Sequence, residues 1–588
     1  MYESLNIEQK QIVQSSGNIL VTACPGSGKT RTLIHKIAYE LDQCKDNSKM
    51  IAAITYTNAA ADEIESRIEK MGIKSEQLWT GTIHAFCLEW ILRPYAGYCN
   101  RLKQGFTVID EYTANKIKEE ICRKFNANIY DTNTKANRKG KLLNSNDNNK
   151  KAASEYHKFL NENKYIDFDL IMYLSYKILV SYPRICSCMG NIFRMICVDE
   201  YQDTQDIAYG ILGCIFRASV NKPMAFIVGD VDQAIYGGLG GVAKSKKELE
   251  EEFGNIEFEE KTISGCYRSC QTIVDLYSNF QLNQYKISSL GNNKDDRGTI
   301  CFNKAIDREE LYNYIAQIVQ ENLVKGIAPN QICIIAPRWE IVIPCARSLN
   351  TALKDIEFDA PGLSPLGRNH DNIFFKIARL FLTEPSPNMI NTRIRWAKEI
   401  IYQLALNYDI NFEEDEISPL KLLKLINSIQ CTEKEGIEYL KNVFDQLLGK
   451  LNIELNRNSS LYEQYSALIE KVMNNQKKEG ISTDIGTYRK IFSKKKGIVI
   501  NTCHGVKGEE YETVIAFGLL NGYIPNWKDI YMGEEKKISA SNKLLYVICS
   551  RAKKNLYLIA EKGRFTAQKR PYLVNNELNS VVFDYDDK

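Results

Sequence analysis

The chain has 588 residues, with 76 Lys+Arg against 73 Asp+Glu for a formal net charge of +3, and 44% of its residues are hydrophobic. At ~100–200 residues per domain this length makes several domains, and the composition excludes collagen-like, low-complexity and wholly disordered chains. No apolar run reaches the ~18–20 residues that span a bilayer, and a charge near zero means that any phosphate contact comes from a local basic face, not a global field.

Short β-like apolar runs recur at residues 18–23, 50–55, 195–198, 224–228, 332–336, 498–502, 513–517 and 556–560, each followed by a polar or glycine-rich turn. Stretches with helical spacing lie between them, such as 57–70 and 273–284. Buried strands alternating with helices give an α/β fold with parallel sheets. The strands form two groups, one in residues 1–90 and 190–285, the other in 286–385 and 495–588. Residues 91–189 and 386–494 read as mostly helical insertions. Within the first insertion, 135–151 is an Asn- and Lys-rich run that reads as a loop.

The start Met1-Tyr2-Glu3-Ser4-Leu5-Asn6 lacks the basic and apolar regions of a secretion signal. The 17 cysteines are odd in number and scattered, so reduced thiols in a cytoplasmic protein are expected. The close pairs Cys186/Cys188 and Cys266/Cys270 have no second pair at zinc-site spacing.

The first apolar run leads into Ala23-Cys24-Pro25-Gly26-Ser27-Gly28-Lys29-Thr30 and then a helix beginning at Arg31. This fits the phosphate-binding pattern G-x-x-x-x-G-K-[ST], with Ala23 in the first glycine's place. Gly26 and Gly28 let backbone N–H groups turn toward a polyphosphate at a helix N-terminus. Lys29 supplies a point charge and Thr30 a hydroxyl for Mg²⁺. A second run ends at Asp199-Glu200-Tyr201-Gln202-Asp203-Thr204. Adjacent carboxylates at a strand end suit two jobs: Asp199 to hold Mg²⁺ and Glu200 to orient or deprotonate a water. A third run ends in Gly229-Asp230-Val231-Asp232-Gln233, where Gln233 is placed to sense the γ-phosphate.

The order of these motifs resembles that of superfamily 1A helicases of the UvrD/Rep/PcrA type, over residues 5–554. Leu5-Asn6-Ile7-Glu8-Gln9 is similar to the family's Q motif, Ile54-Thr55-Tyr56-Thr57-Asn58 to the start of motif Ia, and Gly81-Thr82-Ile83-His84-Ala85-Phe86 to motif Ib. Asp167-Phe168-Asp169-Leu170-Ile171 resembles the segment before the Asp-Glu strand. Cys266-Tyr267-Arg268-Ser269 resembles motif IV, Thr502-Cys503-His504-Gly505-Val506-Lys507-Gly508-Glu509-Glu510-Tyr511 motif V, and Tyr546-Val547-Ile548-Cys549-Ser550-Arg551-Ala552 motif VI.

The resemblance implies two RecA-like lobes, 1A (1–90 and 190–285) and 2A (286–385 and 495–588), with 1B-like (91–189) and short 2B-like (386–494) insertions. ATP and Mg²⁺ would lie between the lobes. Gln9 would read adenine, Tyr267 stack on it, Glu510 meet the ribose, and Arg268 and Arg551 act as arginine fingers beside Lys29, Glu200 and Gln233. The DNA-facing set would be Tyr56, Thr57, Asn58, Thr82, His84, Phe86, Tyr236 and His504, whose rings can stack on bases of any sequence. The basic stretch 135–151 reads first as a solvated loop; 489–496 reads equally as a charged surface helix and as a phosphate contact.

Departures from the pattern are specific. After Gln233-Ala234-Ile235-Tyr236 the chain has Gly237-Gly238-Leu239-Gly240-Gly241, without the family's aromatic and arginine at Gly238 and Leu239. Cys266 replaces an asparagine, and the charged run before motif VI is reduced to Ser541-Asn542-Lys543. The expected activity is ATP-dependent 3′→5′ translocation on single-stranded or tailed duplex DNA, in repair or antiphage defence. The alternative is a DNA-stimulated ATPase that controls a partner nuclease with little unwinding. The compact form resembles the helicase-like subunit of Gabija-type antiphage systems, which works beside an OLD-family nuclease.

Overall fold

The computed structural model describes residues 5–43, 48–219, 222–237, 240–360, 365–366, 372–408, 410–413, 416–479, 482–492 and 496–586. In chain order the strands are β1 (Ile19–Ala23), β2 (Met50–Thr55), β3 (Leu78–Thr82), β4 (Thr107–Val108), β5 (Tyr165–Ile166), β6 (Phe193–Val198), β7 (Met224–Gly229) and β8 (Glu259–Ile263). They continue as β9 (Gly265–Cys266), β10 (Ser288–Ser289), β11 (Thr299–Asn303), β12 (Ile332–Ala336), β13 (Phe358–Asp359), β14 (Ile498–Thr502), β15 (Tyr511–Ala516) and β16 (Ala552–Ile559).

Two six-stranded sheets result, with orders β3-β2-β6-β7-β1-β8 and β11-β16-β15-β12-β14-β13. Every pairing in both is parallel. Central strands such as β1, β6, β12 and β14 are buried over nearly their whole length, which is why they read as unbroken apolar runs. Sequence reading passes over β3, β8, β11 and β13, which lie at the edges of the six-stranded sheets, and the short strands β4, β5, β9 and β10 of the two-stranded ones. In β8 Glu259, Glu260 and Thr262 are exposed on alternate faces of an edge strand, so its polarity hides the strand. The parallel arrangement brings the C-terminal ends of β1, β6 and β7 to one edge.

The chain divides into two compact units: residues 1–83, 182–362 and 495–588 form one, residues 84–181 and 363–494 the other. Both sheets belong to the first. Ile19, Val21, Leu33, Ile37 and Phe226 build the core of the first sheet. Ile335, Val514, Leu545 and Leu556 build that of the second, and the helix Gln271–Ser278 adds Ile273, Val274, Leu276 and Tyr277 to it. That helix is shorter than the 273–284 periodicity predicts, because Ser278 and Asn279 turn their side chains back onto the Val274 and Asp275 carbonyls.

The second unit is mainly helical. Phe374, Phe444 and Tyr465 meet edge to face in its core, and buried Arg393 donates to the Leu380 and Thr383 carbonyls. The 135–151 run is a loop up to Asn146, with Asn137 accepting from the backbone N–H of Lys139 and Lys141. From there it differs from expectation: Asn146 caps a helix, Asp147–Glu162, that takes in the rest of the run. In the 489–496 stretch Arg489 lies over the Tyr439 ring, and residues 493–495 are outside the described residues. No helix among the described residues is long and apolar enough to cross a membrane.

The helix that follows the phosphate loop, Lys29–Asp42, is anchored by a buried charge. Lys36 donates to Glu40 at 2.8 Å and to the Val13 and Ser15 carbonyls, and Arg194 of β6 donates to the other Glu40 oxygen at 2.8 Å. Breaking a buried pair orphans a charge, so Glu40→Ala is expected to cost about 3 kcal/mol. Chemical denaturation measures this, and a midpoint equal to wild type would show that the pair is not a structural anchor.

Candidate active site

The phosphate loop is shaped by two residues of positive φ. Gly26 has φ +69°, and a Cβ there would come within 2.5 Å of the Arg268 Cβ; Gly28 has φ +80° and caps the helix Lys29–Asp42. Glycine alone satisfies both the turn and the close approach. Ala23 and Cys24 are fully buried at the end of β1, and burial pushes the Cys24 thiol well up, so it is a packing group and not a reactive one. Gln9 stands behind the loop. Its Nε2 donates to the Ser27 carbonyl at 2.9 Å, and its Oε1 accepts from the Asn6 backbone N–H. The Tyr267 N–H donates to the Gly26 carbonyl at 2.9 Å, so the β9 segment is tied directly to the loop.

The acidic edge comes from β6 and β7. Glu200 adopts the left-handed conformation, φ +49°, which is strained for a residue with a side chain. The turn brings its Oε1 to 3.6 Å from Lys29 Nζ, while Asp199 Oδ1 accepts from the Glu200 backbone N–H. Burial, then the Glu200 charge, raises the Asp199 carboxyl. Burial works the same way on Glu200, but Lys29 and Lys507 overcome it and hold that group low. A buried carboxylate raised in this way suits a divalent cation. Among the described residues no group of three or more His, Cys, Asp or Glu could hold a metal alone. Mg²⁺ needs no such cage, since it keeps waters and takes substrate phosphate oxygens.

The second sheet supplies a facing cation, and the segment after β9 another. Arg551, 1% exposed, donates through Nε to the Val547 carbonyl, through Nη1 to the Glu509 carbonyl, and through Nη2 to Gln233 Oε1 at 3.1 Å. Gln233 Nε2 in turn donates to Asp230 Oδ2 at 2.7 Å. Burial, then the nearby Arg268 charge, lowers the Arg551 guanidinium to about 9. Arg268 bonds Glu510 at 2.8 Å and the Ser550 carbonyl at 2.9 Å. Burial raises the Glu510 carboxyl, but Arg268 and Lys553 outweigh it and hold the group low.

Rings line the approach. Tyr56 stacks on Tyr236 with centroids 5.1 Å apart, and Tyr236 lies 6.1 Å from His504 and donates its hydroxyl to the His504 carbonyl. Thr57 caps the helix Asn58–Lys70, so its hydroxyl already accepts from Ala60 N–H. Thr82 ends β3. One ring expectation changes. Phe86 is fully buried and cannot stack on a base. His84, in the second unit, stands edge-on to Phe168 at 5.4 Å. Gly238 and Leu239, where the sequence departs from the helicase pattern, lie outside the described residues.

Sequence reasoning quotes Lys507, Asp203 and Asp230 within motifs but assigns them no role. Lys507 Nζ donates to Asp203 Oδ2 at 2.5 Å and to the Gln233 carbonyl at 2.7 Å, and sits 5.0 Å above the Tyr236 ring. Their only signal in the sequence is membership of the same short motifs.

A phosphate loop on one parallel sheet, faced by buried arginine from a second, defines a two-sheet nucleotide-binding protein. Residues 5–254 match the family model of the UvrD/REP helicase N-terminal domain, and residues 421–563 that of the UvrD-like helicase C-terminal domain. A Staphylococcus aureus protein named ATP-dependent DNA helicase PcrA is 24% identical, over 95% of this chain and 83% of its own. One of the same name from Staphylococcus epidermidis is 22% identical over the same shares. The chain belongs to the UvrD-like helicase family, and its two sheets are RecA-like lobes.

The His84 environment makes a pH prediction. Burial lowers its imidazole to about 4, with the Asp169 and Lys135 charges acting in opposite directions beside it. The unfolded imidazole titrates near ~6.5, so the unfolded chain takes up a proton that the folded one refuses. This stability is complete above pH ~6.5 and is lost as pH falls toward 4. The melting temperature of wild type is expected to drop across that window more than that of His84→Asn. Equal drops would place the acid sensitivity elsewhere.

Proposed function

We propose that the chain is an ATP-dependent DNA translocase and helicase that moves 3′→5′ along a single strand. The observation that supports this best is the buried Arg551 guanidinium of the second sheet donating to Gln233 of the first, beside a phosphate loop whose Lys29 faces Glu200. In this reading residues 1–90 and 190–285 act as lobe 1A and 286–385 and 495–588 as lobe 2A. The helical regions 91–189 and 386–494 act as 1B- and 2B-like insertions. ATP lies along the phosphate loop 23–31, with Gln9 and Tyr267 at the base, Glu510 at the ribose, and Thr30 and Asp199 placed to hold Mg²⁺. The ion, when bound, neutralises charge on the β- and γ-phosphates. Glu200 aligns the attacking water, Gln233 senses the γ-phosphate, and Lys29, Arg268 and Arg551 meet the charge that builds in the transition state.

Contacts from lobe 2A exist only when the cleft is shut, so ATP favours closure and hydrolysis releases it. Tyr56, Thr57, Asn58, Thr82, His84, Tyr236 and His504 form the proposed strand track. Stacking there is worth ~1–3 kcal/mol per base and tolerates any sequence. The work is cytoplasmic, on repair intermediates or invading DNA.

Lys29→Ala is expected to lower ATP hydrolysis by about a hundredfold or more and to abolish displacement of a strand from a 3′-tailed duplex. Displacement only from 5′ tails would overturn the polarity. Hydrolysis stimulated by single-stranded DNA without any displacement would favour the alternative, a regulatory ATPase beside a nuclease.

A further inference from the structure

The two helical insertions meet each other through groups that neither the nucleotide reading nor the strand reading uses. Arg93 lies over the Tyr402 ring at 5.1 Å and donates to the Tyr402 hydroxyl and to Asn407 Oδ1, each at 3.2 Å. Asp110, which caps the helix Glu111–Lys124, is 3% exposed. Burial, then the Asp110 charge, raises the hydroxyl of Tyr408, itself 6% exposed. Lys116 pairs with Glu470 at 3.1 Å. The Tyr165 hydroxyl lies 3.0 and 2.8 Å from the two Glu463 oxygens. On the far side two helices, Ile390–Tyr408 and Ser459–Glu479, receive these contacts.

Glu463 is followed two helical turns later by Glu470 and Lys471, so all three share one face of the helix Ser459–Glu479. Burial lowers the Lys471 ammonium, with Asp110 and Glu111 opposing it, so the same face meets the start of the helix Glu111–Lys124. An exposed ion pair contributes little by itself. The set acts differently, because a rotation of either insertion against the other breaks every contact at once and strips the buried Asp110 and Tyr408 of their neighbours. Connectivity adds a second restraint. The chain passes between its two compact units four times, after residues 83, 181, 362 and 494. Residues 363–494 alone would hang on two of those crossings and could turn on them as a hinge; joined to 84–181, they hang on all four.

We propose that residues 84–181 and 363–494 form one rigid arm, and that the interface built on Arg93, Asp110, Tyr408 and Glu463 stops the second insertion from swinging separately. A ligand that displaces one insertion therefore displaces both. These contacts involve neither the phosphate loop nor the stacked Tyr56 and Tyr236, so their failure would leave the function proposed above intact.

The test places spin labels at the exposed positions Lys103 and Lys424 of the full chain and measures the distance between them by pulsed dipolar spectroscopy. Non-native amino acids carry the labels, because the 17 cysteines preclude thiol chemistry. Wild type should give one narrow distance that shifts by less than about 2 Å when a non-hydrolysable ATP analogue and an oligothymidylate are added. A second distance, or a larger shift, would overturn the rigid arm. The variant Arg93→Ala/Lys116→Ala/Tyr165→Phe removes interface contacts at partly exposed side chains. It should add a second distance more than about 2 Å from the first. A variant as narrow as wild type would show that these contacts do not join the insertions, and would overturn the proposal. If circular dichroism shows that this variant does not fold, Lys116→Ala/Tyr165→Phe decides by the same criterion.

Discussion

The cleft depends on one electrostatic constraint: charges withdrawn from water must compensate one another. Asp199, Glu200, Asp203 and Asp230 come from the first sheet's strand ends, and Lys29 lies among them. Arg551 and Lys507 arrive with the second lobe, and Arg268 comes from the segment after β9. An ionised group buried without a partner is costly enough that it neutralises instead. The lowered Arg551 guanidinium and the raised Asp199 and Asp203 carboxyls show how near these groups stand to that limit. The second lobe's cations are therefore part of what lets the first lobe keep its acidic edge charged.

This constraint explains why the backbone accepts strain at Glu200. An ordinary conformation after β6 would point the carboxylate elsewhere and leave Lys29 without its nearest anion. The positive φ costs on the order of 1–3 kcal/mol, and the neighbouring hydrogen bonds over-determine it: Gln202 donates to Glu200, and the Asp230 N–H donates to Gln202. The loop glycines solve the complementary problem. Gly26 lacks the Cβ that would keep Arg268 and the β9 segment away from the phosphate loop, and Gly28 lacks the one that would crowd Gln9.

The parts of this arrangement that can be read from sequence are the local ones. A phosphate loop, an acidic pair or a glutamine after an apolar run is a short pattern at the end of a buried strand, so strand and motif identify each other. Edge strands are less readable, because β8 exposes Glu259 and Glu260 on opposite faces and loses the apolar signal. Phe86 shows the reverse error: an aromatic beside polar residues looks like a stacking ring, and only packing shows that it is interior. Pairings across the cleft are the least readable. Lys507 and Asp203 lie 304 residues apart, and Gln233 and Arg551 lie 318 apart. No local periodicity records such contacts, since they are set by how the lobes close.

In the proposed reading, a nucleotide enters a cleft whose cations already have partners. The γ-phosphate must compete with Gln233 for Arg551 and with Glu200 for Lys29. That competition makes binding informative: transferring Arg551 from the neutral Gln233 amide to a phosphate oxygen gives the buried guanidinium a negative charge that offsets its desolvation, and frees Gln233 to turn. Lys507 holds the Gln233 carbonyl rather than its side chain. The backbone therefore stays in register while the side chain changes partner. A switch of this design moves a few atoms at the phosphate.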